Sequence, residues 1–397
     1  MDKQIQLSVP NLDIEIVDNL RECIETGWVS TGGRFIAEFE KQIAKYVGTK
    51  DAVSAQSGTA GLHVALRIFG VEAGDEVIVP TLTFVAAVNP VKYLGADPIF
   101  IDCDESLCMD IDRVKEFCEQ ECSFNGHNLV NNATGKVIKA LVAVHIFGNM
   151  VDMEKLMLLA EKYNLRVLED ATEALGSYYT EGKYKGMFAG TIGDMGVYSF
   201  NANKIITTGG GGMIVSQNQK YLDRARYLTI TAKETNPEEA LFFVHGEVGY
   251  NYRMLNIQAA LGVSQIEKLE SFITTKILNY NRYKEELNSV VGAEVLPFVS
   301  DIRSNHWFYS IYIDNEKFGI DRNSLMNELI SKGIQCRPIW KLIHTLKPYM
   351  GARSYKIENA IHYANNIINV PCSTSLEEED VIYICNTIKE IQLKNIK

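Results

Sequence analysis

Residues 137–170 read VIKALVAVHIFGNMVDMEKLMLLAEKYNLRVLED, and this stretch decides which fold is expected. It begins with a long run of apolar and β-branched residues at 137–144 and closes with a shorter run at 165–168. Between the two runs, over residues 152–163, apolar residues recur at the spacing of one helical face. A strand, a helix and a second strand in this order predict a βαβ unit with parallel strands.

The same alternation extends over residues 50–215, with further apolar runs such as 76–79 and 98–101. It predicts a mostly parallel sheet covered by helices on both faces. The polar stretch 123–135 has turn chemistry and is expected to form a surface loop. Past residue 250 the pattern changes to one long helical segment over 256–290, followed by shorter elements. We therefore expect an N-terminal helix and a large α/β domain in residues 1–250, and a smaller α+β domain in residues 251–397.

Composition limits the possible functions. The chain has 397 residues, of which 46% are hydrophobic and 22% charged, as in ordinary folded proteins. A net charge of −11 repels nucleic acids and anionic bilayers, so we expect neither as a partner. No long uncharged apolar segment is present, which favours a cytoplasmic protein. The eight cysteines lack zinc-site spacing and are expected to be reduced thiols, with no metal site.

Two short segments carry groups that suit an ionic ligand. Ser57-Gly-Thr-Ala-Gly61 follows a predicted strand and opens a helix, so its backbone N–H groups would seat a phosphate. The alternative is a simple helix cap and turn. In Leu168-Glu-Asp-Ala-Thr-Glu173, Asp170 ends an apolar run at the carboxyl edge of the sheet, where it can hold a cationic ring nitrogen. A lone aspartate at such a position is more often the cap of the next helix.

The third segment is residues 193–212, GDMGVYSFNANKIITTGGGG, in which Lys204 lies between an aromatic strand end and four glycines. This placement suits a lysine that forms an imine, and the alternative is an ordinary lysine on a surface hairpin. An anion seat, a strand-end acid and a lysine together meet the needs of pyridoxal phosphate (PLP). That cofactor requires a phosphate cradle, a carboxylate for its pyridinium nitrogen and a lysine for its Schiff base.

Nearly the whole chain resembles the DegT/StrS group of sugar-nucleotide aminotransferases. The motifs that carry the resemblance are Thr26-Gly-Trp-Val-Ser-Thr-Gly-Gly33, Gly58-Thr59, Pro80-Thr-Leu-Thr-Phe84, Glu169-Asp170, Ser199-Phe200, Lys204, Gly249-Tyr-Asn-Tyr-Arg-Met254 and Arg337-Pro338. The resemblance implies the α/β fold of type I PLP aminotransferases, with a mostly parallel sheet in the large domain and a smaller α+β C-terminal domain. It also implies that L-glutamate donates an amino group to a keto sugar nucleotide.

The resemblance further implies a role for individual residues. Lys204 would form the Schiff base and act as general acid and base, Asp170 would pair with the pyridinium nitrogen, and Phe84 would stack on the ring. Asn251 would reach the phosphate from the partner subunit, which implies a homodimer with shared active sites. The remaining phosphate-binding groups would be the backbone of Gly58, Thr59 and Ala60 and the side chains of Thr59 and Ser199. Four candidates for the nucleotide sugar are Trp28, Arg253, Arg337 and His344. For the arginines, surface pairing is the alternative, and for Trp28 it is core packing.

Two departures from the family pattern bear on the substrate. Glu173 stands where most members have Gln or His near the phenolic oxygen of PLP, so we expect it to be protonated or turned away. Gly210 stands where many members have Glu. Both features resemble the subgroup that aminates C4 of UDP-2-acetamido-4-keto-2,6-dideoxyglucose, on routes to bacillosamine-type or legionaminic-type sugars. The alternatives are another 3-keto or 4-keto sugar on dTDP or GDP, or a PLP-binding regulator without turnover.

Overall fold

The computed structural model describes residues 4–396 apart from 235, 237, 239 and 240, and parallel strands form its centre. The strands are β1 (Ala52–Ala55), β2 (Glu76–Pro80), β3 (Asp97–Ile101), β4 (Cys122–Phe124), β5 (Leu129–Asn131), β6 (Val137–Val144), β7 (Arg166–Asp170), β8 (Tyr178–Tyr179), β9 (Met195–Ser199), β10 (Gly212–Val215), β11 (Ala293–Val295), β12 (Ile302–Arg303), β13 (Tyr309–Ile313), β14 (Arg337–Pro338), β15 (Ser354–Tyr355) and β16 (Ile367–Val370).

The helices surround the sheets. They are α1 (Ile16–Thr26), α2 (Arg34–Val47), α3 (Gly58–Ile68), α4 (Asn89–Tyr93), α5 (Ile111–Glu121), α6 (Met153–Tyr163), α7 (Gln219–Thr229), α8 (Asn256–Ile266), α9 (Leu269–Leu287), α10 (Asn315–Phe318), α11 (Arg322–Ser331), α12 (Asn359–Asn366) and α13 (Glu378–Asn395). Short 3₁₀ turns lie at Val85–Ala87, Ile146–Gly148, Ile343–Thr345 and Lys347–Tyr349.

The main sheet has the order β1-β10-β9-β7-β6-β2-β3-β15. From β9 to β15 neighbouring strands run parallel, whereas β10 is antiparallel to both of its neighbours. The predicted βαβ unit is present, since β6 and β7 pair in parallel with Val142 opposite Leu168. Asp152 caps α6 by accepting a hydrogen bond from the Lys155 N–H. The mostly parallel α/β sheet predicted from the sequence is therefore confirmed.

Two local predictions are wrong. Within residues 123–135 the chain forms the antiparallel pair β4–β5 instead of a loop, and β5 continues the pairing onto β6. The buried Asn131 explains this, because its side chain donates to Glu76 Oε2 at 2.8 Å and fixes the hairpin to the sheet. The expected long helix over 256–290 is divided into α8 and α9 by residues 267–268.

The later part of the chain forms a second sheet, β11-β13-β16-β14, with α9 and α13 packed together beside it. Several elements of this later part also contact the earlier part of the chain. Helix α8 packs on α1 and α2, β12 pairs with β8, and β15 extends the main sheet beside β3. A domain boundary after residue 250 stays a prediction. No helix among the described residues has the length and apolarity needed to cross a membrane.

Candidate active site

A cavity of about 680 Å³ opens where β7 and β9 end and α3 begins. Most of the residues predicted for the site line it, namely Gly58, Thr59, Phe84, Asp170, Glu173, Ser199, Lys204 and Arg337. The carboxyl ends of parallel strands meet there with the positive end of a helix dipole, which favours binding of an anion.

The N-terminus of α3 has two unused hydrogen-bond donors. The Ser57 hydroxyl accepts a hydrogen bond from the Ala60 N–H at 3.1 Å, so that backbone group, predicted for phosphate, is engaged in capping. The N–H groups of Gly58 and Thr59 donate to no acceptor among the described residues, and both residues line the cavity. These two N–H groups and the Thr59 hydroxyl can therefore hold a phosphate.

The backbone around this seat is packed too closely for larger residues. A Cβ added at Gly58 would lie 2.9 Å from Cγ2 of Thr172 and 3.1 Å from Cβ of Ser199. A Cβ at Gly212 in β10 would meet the carbonyl carbon of Ser57 at 2.6 Å. The loop is therefore tightly packed, and a residue with a Cβ at position 58 or 212 would require its neighbours to move.

Lys204 is buried with its ammonium group against an acid and an aromatic ring. Its Nζ lies 3.7 Å from Oε1 of Glu173 and 3.9 Å from the ring centroid of Trp307, and only 12% of its side chain is exposed. Burial lowers the pKa of Lys204, while the nearby Glu173 and Asp170 oppose that shift. A lysine with a lowered pKa supplies the neutral amine that Schiff-base formation requires.

Glu173 is a buried carboxyl group with one backbone partner. Its Oε2 accepts a hydrogen bond from the Phe147 N–H at 2.9 Å, and Phe147 itself has a φ of 56°, which is unusual for a bulky residue. Burial raises the pKa of Glu173 to about 7, with the Lys204 ammonium opposing the rise. Near neutral pH the group is therefore partly protonated and able to donate a hydrogen bond to a phenolic oxygen.

Asp170 and its neighbour Glu169 end β7 with different surroundings. Asp170 lines the cavity, and burial raises its pKa while hydrogen bonds from Thr172 oppose the rise. Glu169 is fully buried and accepts from Nε2 of His145 at 2.9 Å and from the Gly190 N–H at 2.8 Å. Since adjacent strand residues point to opposite faces, Glu169 anchors the strand end while Asp170 is presented to the cavity.

Two candidates for the nucleotide sugar lie outside this cavity. Trp28 is 61% exposed between α1 and α2 and does not line the cavity. Arg253 has its Nη2 3.8 Å from Oε1 of Glu40, an ion pair beside α2. Within one subunit, neither of these residues lines the cavity.

His344 and Asn251 also lie outside the cavity. The Nδ1 of His344 is 2.6 Å from the Thr81 hydroxyl, and burial lowers the pKa of this histidine. Asn251 is exposed, and its backbone forms an isolated antiparallel β-bridge with Ile230. Its predicted role requires a second subunit, so a single chain does not test it.

The structure adds residues that the sequence analysis missed. Phe147, Trp307 and Trp340 form an aromatic wall, with ring centroids 6.0 Å apart from Phe147 to Trp307 and 4.8 Å apart from Phe147 to Trp340. Thr172 follows Asp170 by two residues and lies in a segment that the sequence had already marked. Trp340 closely follows the Arg337-Pro338 motif, whereas Trp307 has no such signal, because only the packing of distant segments brings it to Lys204.

Comparison with known proteins agrees with this geometry. The model of the DegT/DnrJ/EryC1/StrS aminotransferase family matches residues 10–389. The GDP-perosamine synthase of Escherichia coli O157:H7 is 36% identical over 389 residues, 98% of each chain. The GDP-perosamine synthase of Caulobacter vibrioides is 33% identical over 390 residues, also 98% of each chain. The crystal structure of the aminotransferase TlmJ from Streptoalloteichus hindustanus superposes with a TM-score of 0.87 at 25% identity, covering 99% of this chain and 100% of that one.

Proposed function

Because this chain belongs to the DegT/DnrJ/EryC1/StrS family of PLP-dependent sugar aminotransferases, we propose that it transfers an amino group from L-glutamate to a keto sugar carried on GDP. The observation that carries this proposal is the buried Lys204, which faces the cavity beside Asp170 and Glu173. Lys204, the strand-end Asp170 and the predicted phosphate-binding residues Gly58 and Thr59 all line this one cavity.

When bound, PLP supplies a carbonyl that takes up amino groups and a ring that withdraws electrons from the bond being broken. Lys204 then takes a proton from the substrate carbon and returns it, as general base and acid. Asp170 would hold the ring nitrogen of that cofactor and keep it protonated. Protonated Glu173 would donate a hydrogen bond to the phenolic oxygen of PLP, so that a carboxylate and a phenolate would not face each other.

Two cations support a nucleotide diphosphate as the second ligand. Arg337 in β14 and Lys341 line the cavity and are exposed, and neither has an ion-pair partner within the described part of the chain. In a protein with a net charge of −11, unpaired cations at a cavity mouth favour an anionic ligand. Trp340, between them in sequence, offers an aromatic face for the base.

GDP is favoured as the carrier because the two relatives named above are GDP-perosamine synthases. Each of them aligns with 98% of this chain. The UDP-2-acetamido-4-keto sugar remains the second candidate, on the strength of the run at 169–176 and the four glycines at 209–212. The comparisons give that subgroup less support than the GDP carrier.

The test is a comparison of kcat/KM for 4-keto-6-deoxy sugars on GDP, dTDP and UDP, the UDP compound with its 2-acetamido group, all with saturating L-glutamate. We expect the GDP sugar to exceed the others by at least about tenfold, since a base-specific site leaves its own polar groups unpaired with the wrong base. A preference for the UDP sugar would replace the GDP proposal with the second candidate. If none of these sugars is aminated, the proposed function is contradicted.

A further inference from the structure

Lys276 in α9 is a buried lysine whose hydrogen bonds go to main-chain carbonyls, and burial lowers its pKa. Its Nζ donates to the carbonyl oxygens of Trp307 at 2.9 Å and of Cys372 at 2.5 Å. The residue is 3% exposed, and among the described residues no carboxylate lies within ion-pair distance of it. A buried charge without a counterion is costly, so these two hydrogen bonds have to compensate for its desolvation.

The segment that Lys276 holds also contacts the reactive lysine. The Trp307 ring centroid lies 3.9 Å from Nζ of Lys204, and the Trp307 indole N–H donates to the Asn203 carbonyl at 2.7 Å. Trp307 is therefore fixed at its backbone by Lys276 and at its indole by the residue before Lys204. Lys204 and Lys276 also line the same small cleft behind the main cavity.

We propose that Lys276 is a positioning residue that holds the Trp307 indole against the Lys204 side chain. A cation over an aromatic face is stabilised by the ring, so a fixed indole favours the charged form of the nitrogen at Lys204. Lys276 thus acts through Trp307, without touching substrate or cofactor. The proposal rests on the role of Lys204 given under the proposed function.

A charge effect of Lys276 and a positioning effect of Lys276 would shift the pKa of the cation at Lys204 in opposite directions. If only its positive charge mattered, its removal would relieve repulsion and raise the pKa of the cation at Lys204. If it positions Trp307, its removal frees the indole and lowers that pKa. Other groups near Lys276 interfere little, because burial lowers the pKa of His306 to about 4 and raises that of the Cys372 thiol.

Near Lys204, burial raises the pKa of both Asp170 and Glu173. Glu173, with a pKa of about 7, titrates in the range of the measurement, so each variant is also measured in a Glu173→Gln background.

The experiment is a pH titration of the visible absorbance of the PLP-loaded protein. Trp307→Leu should lower the midpoint by roughly half a unit to one unit, a three- to tenfold change in the charged fraction. Lys276→Met should lower it in the same direction, and the double variant should match Trp307→Leu alone, because Lys276 acts through the indole. Arg322→Met is the matched control, since Arg322 is also buried and donates to carbonyls, of Ile367 and Ala364, away from the cavity. Its midpoint should equal that of the parent.

A raised or unchanged midpoint in Lys276→Met, with Trp307→Leu lowered, would overturn the proposal. The proposal would also be overturned if the midpoint shift of the double variant equalled the sum of the two single shifts. If Lys276→Met does not fold, Lys276→Gln serves instead, because its amide keeps two N–H donors without the charge. A lowered midpoint in this variant supports positioning, and a raised or unchanged midpoint overturns it. If no sugar is aminated in the kcat/KM comparison, the proposed function is contradicted, while these absorbance midpoints are unaffected.

Discussion

Lys204 is proposed to supply the reacting nitrogen, and replacing it tests this assignment. Lys204→Ala should reduce turnover by at least about 10³-fold, because the covalent and the proton-transfer roles are lost together. It should also abolish the visible absorbance of the loaded protein. Lys185→Ala, which changes an exposed lysine outside the cavity, should leave both properties at the parent level. Turnover of Lys204→Ala within tenfold of the parent would refute the assignment.

Glu173 predicts a pH dependence of the free energy of unfolding of the apoprotein. Its pKa in the folded state is about 7, against 4.5 for an unperturbed glutamate, so the folded state binds the proton more tightly. This contribution is complete below about pH 4.5 and is lost as the pH rises through 7. Relative to Glu173→Gln, the parent should lose roughly 1–3 kcal/mol over this window. Denaturant titrations at pH 5 and 8 measure it, and a parent that gains stability relative to the variant would contradict the assignment.

Helix α3 and the loop before it are proposed to act as one element that binds the phosphate of PLP. Gly58→Ala places a Cβ 2.9 Å from Thr172 and 3.1 Å from Ser199, so the loop has to move away from the two strand ends. We expect PLP affinity to fall by about tenfold or more, with the fold retained. The matched control is Gly210→Ala, whose Cβ would meet only Nε2 of Gln258, at 3.6 Å. Equal affinities in the two variants would contradict this seat for the phosphate.

The sequence predicted helices and strands where the periodicity of its apolar residues was strong. The apolar run at 137–144 and the helical face at 152–163 formed β6 and α6. The hairpin within residues 123–135 was missed, because its stability comes from Asn131 against Glu76, a contact between distant segments. Local polarity predicts turns well but does not report which polar side chains find a buried partner.

For the site, motif residues were predictable and their neighbours were not. Gly58, Asp170 and Lys204 stand beside turns and strand ends that the sequence shows directly. Trp307 reaches Lys204, and Lys276 reaches Trp307, only through the packing of distant segments, for which the sequence carries no local signal. The roles of Arg253, His344 and Trp28 stay predictions, because in one subunit these residues do not line the cavity.

The whole molecule is predicted to be a homodimer with shared active sites. Asn251 is exposed, and the preceding segment 241–248 exposes large apolar residues, with Phe242 75% and Val248 81% accessible. Sedimentation should show two 44.5 kDa subunits. Asn251→Ala and Lys204→Ala should each be impaired alone, and an equal mixture should recover about a quarter of parent activity, since half of the dimers then carry one intact site. A fully active monomer would contradict this arrangement.

The central claim is that nitrogen passes from glutamate to a nucleotide sugar at Lys204. The most direct measurement follows ¹⁵N-labelled L-glutamate through a single turnover with the GDP-linked keto sugar, with the sugar product read by mass spectrometry. We predict that the product carries the label, with one 2-oxoglutarate formed for each amino sugar, and that Lys204→Ala forms neither product. An unlabelled sugar product, or equal labelling by Lys204→Ala, would contradict the claim.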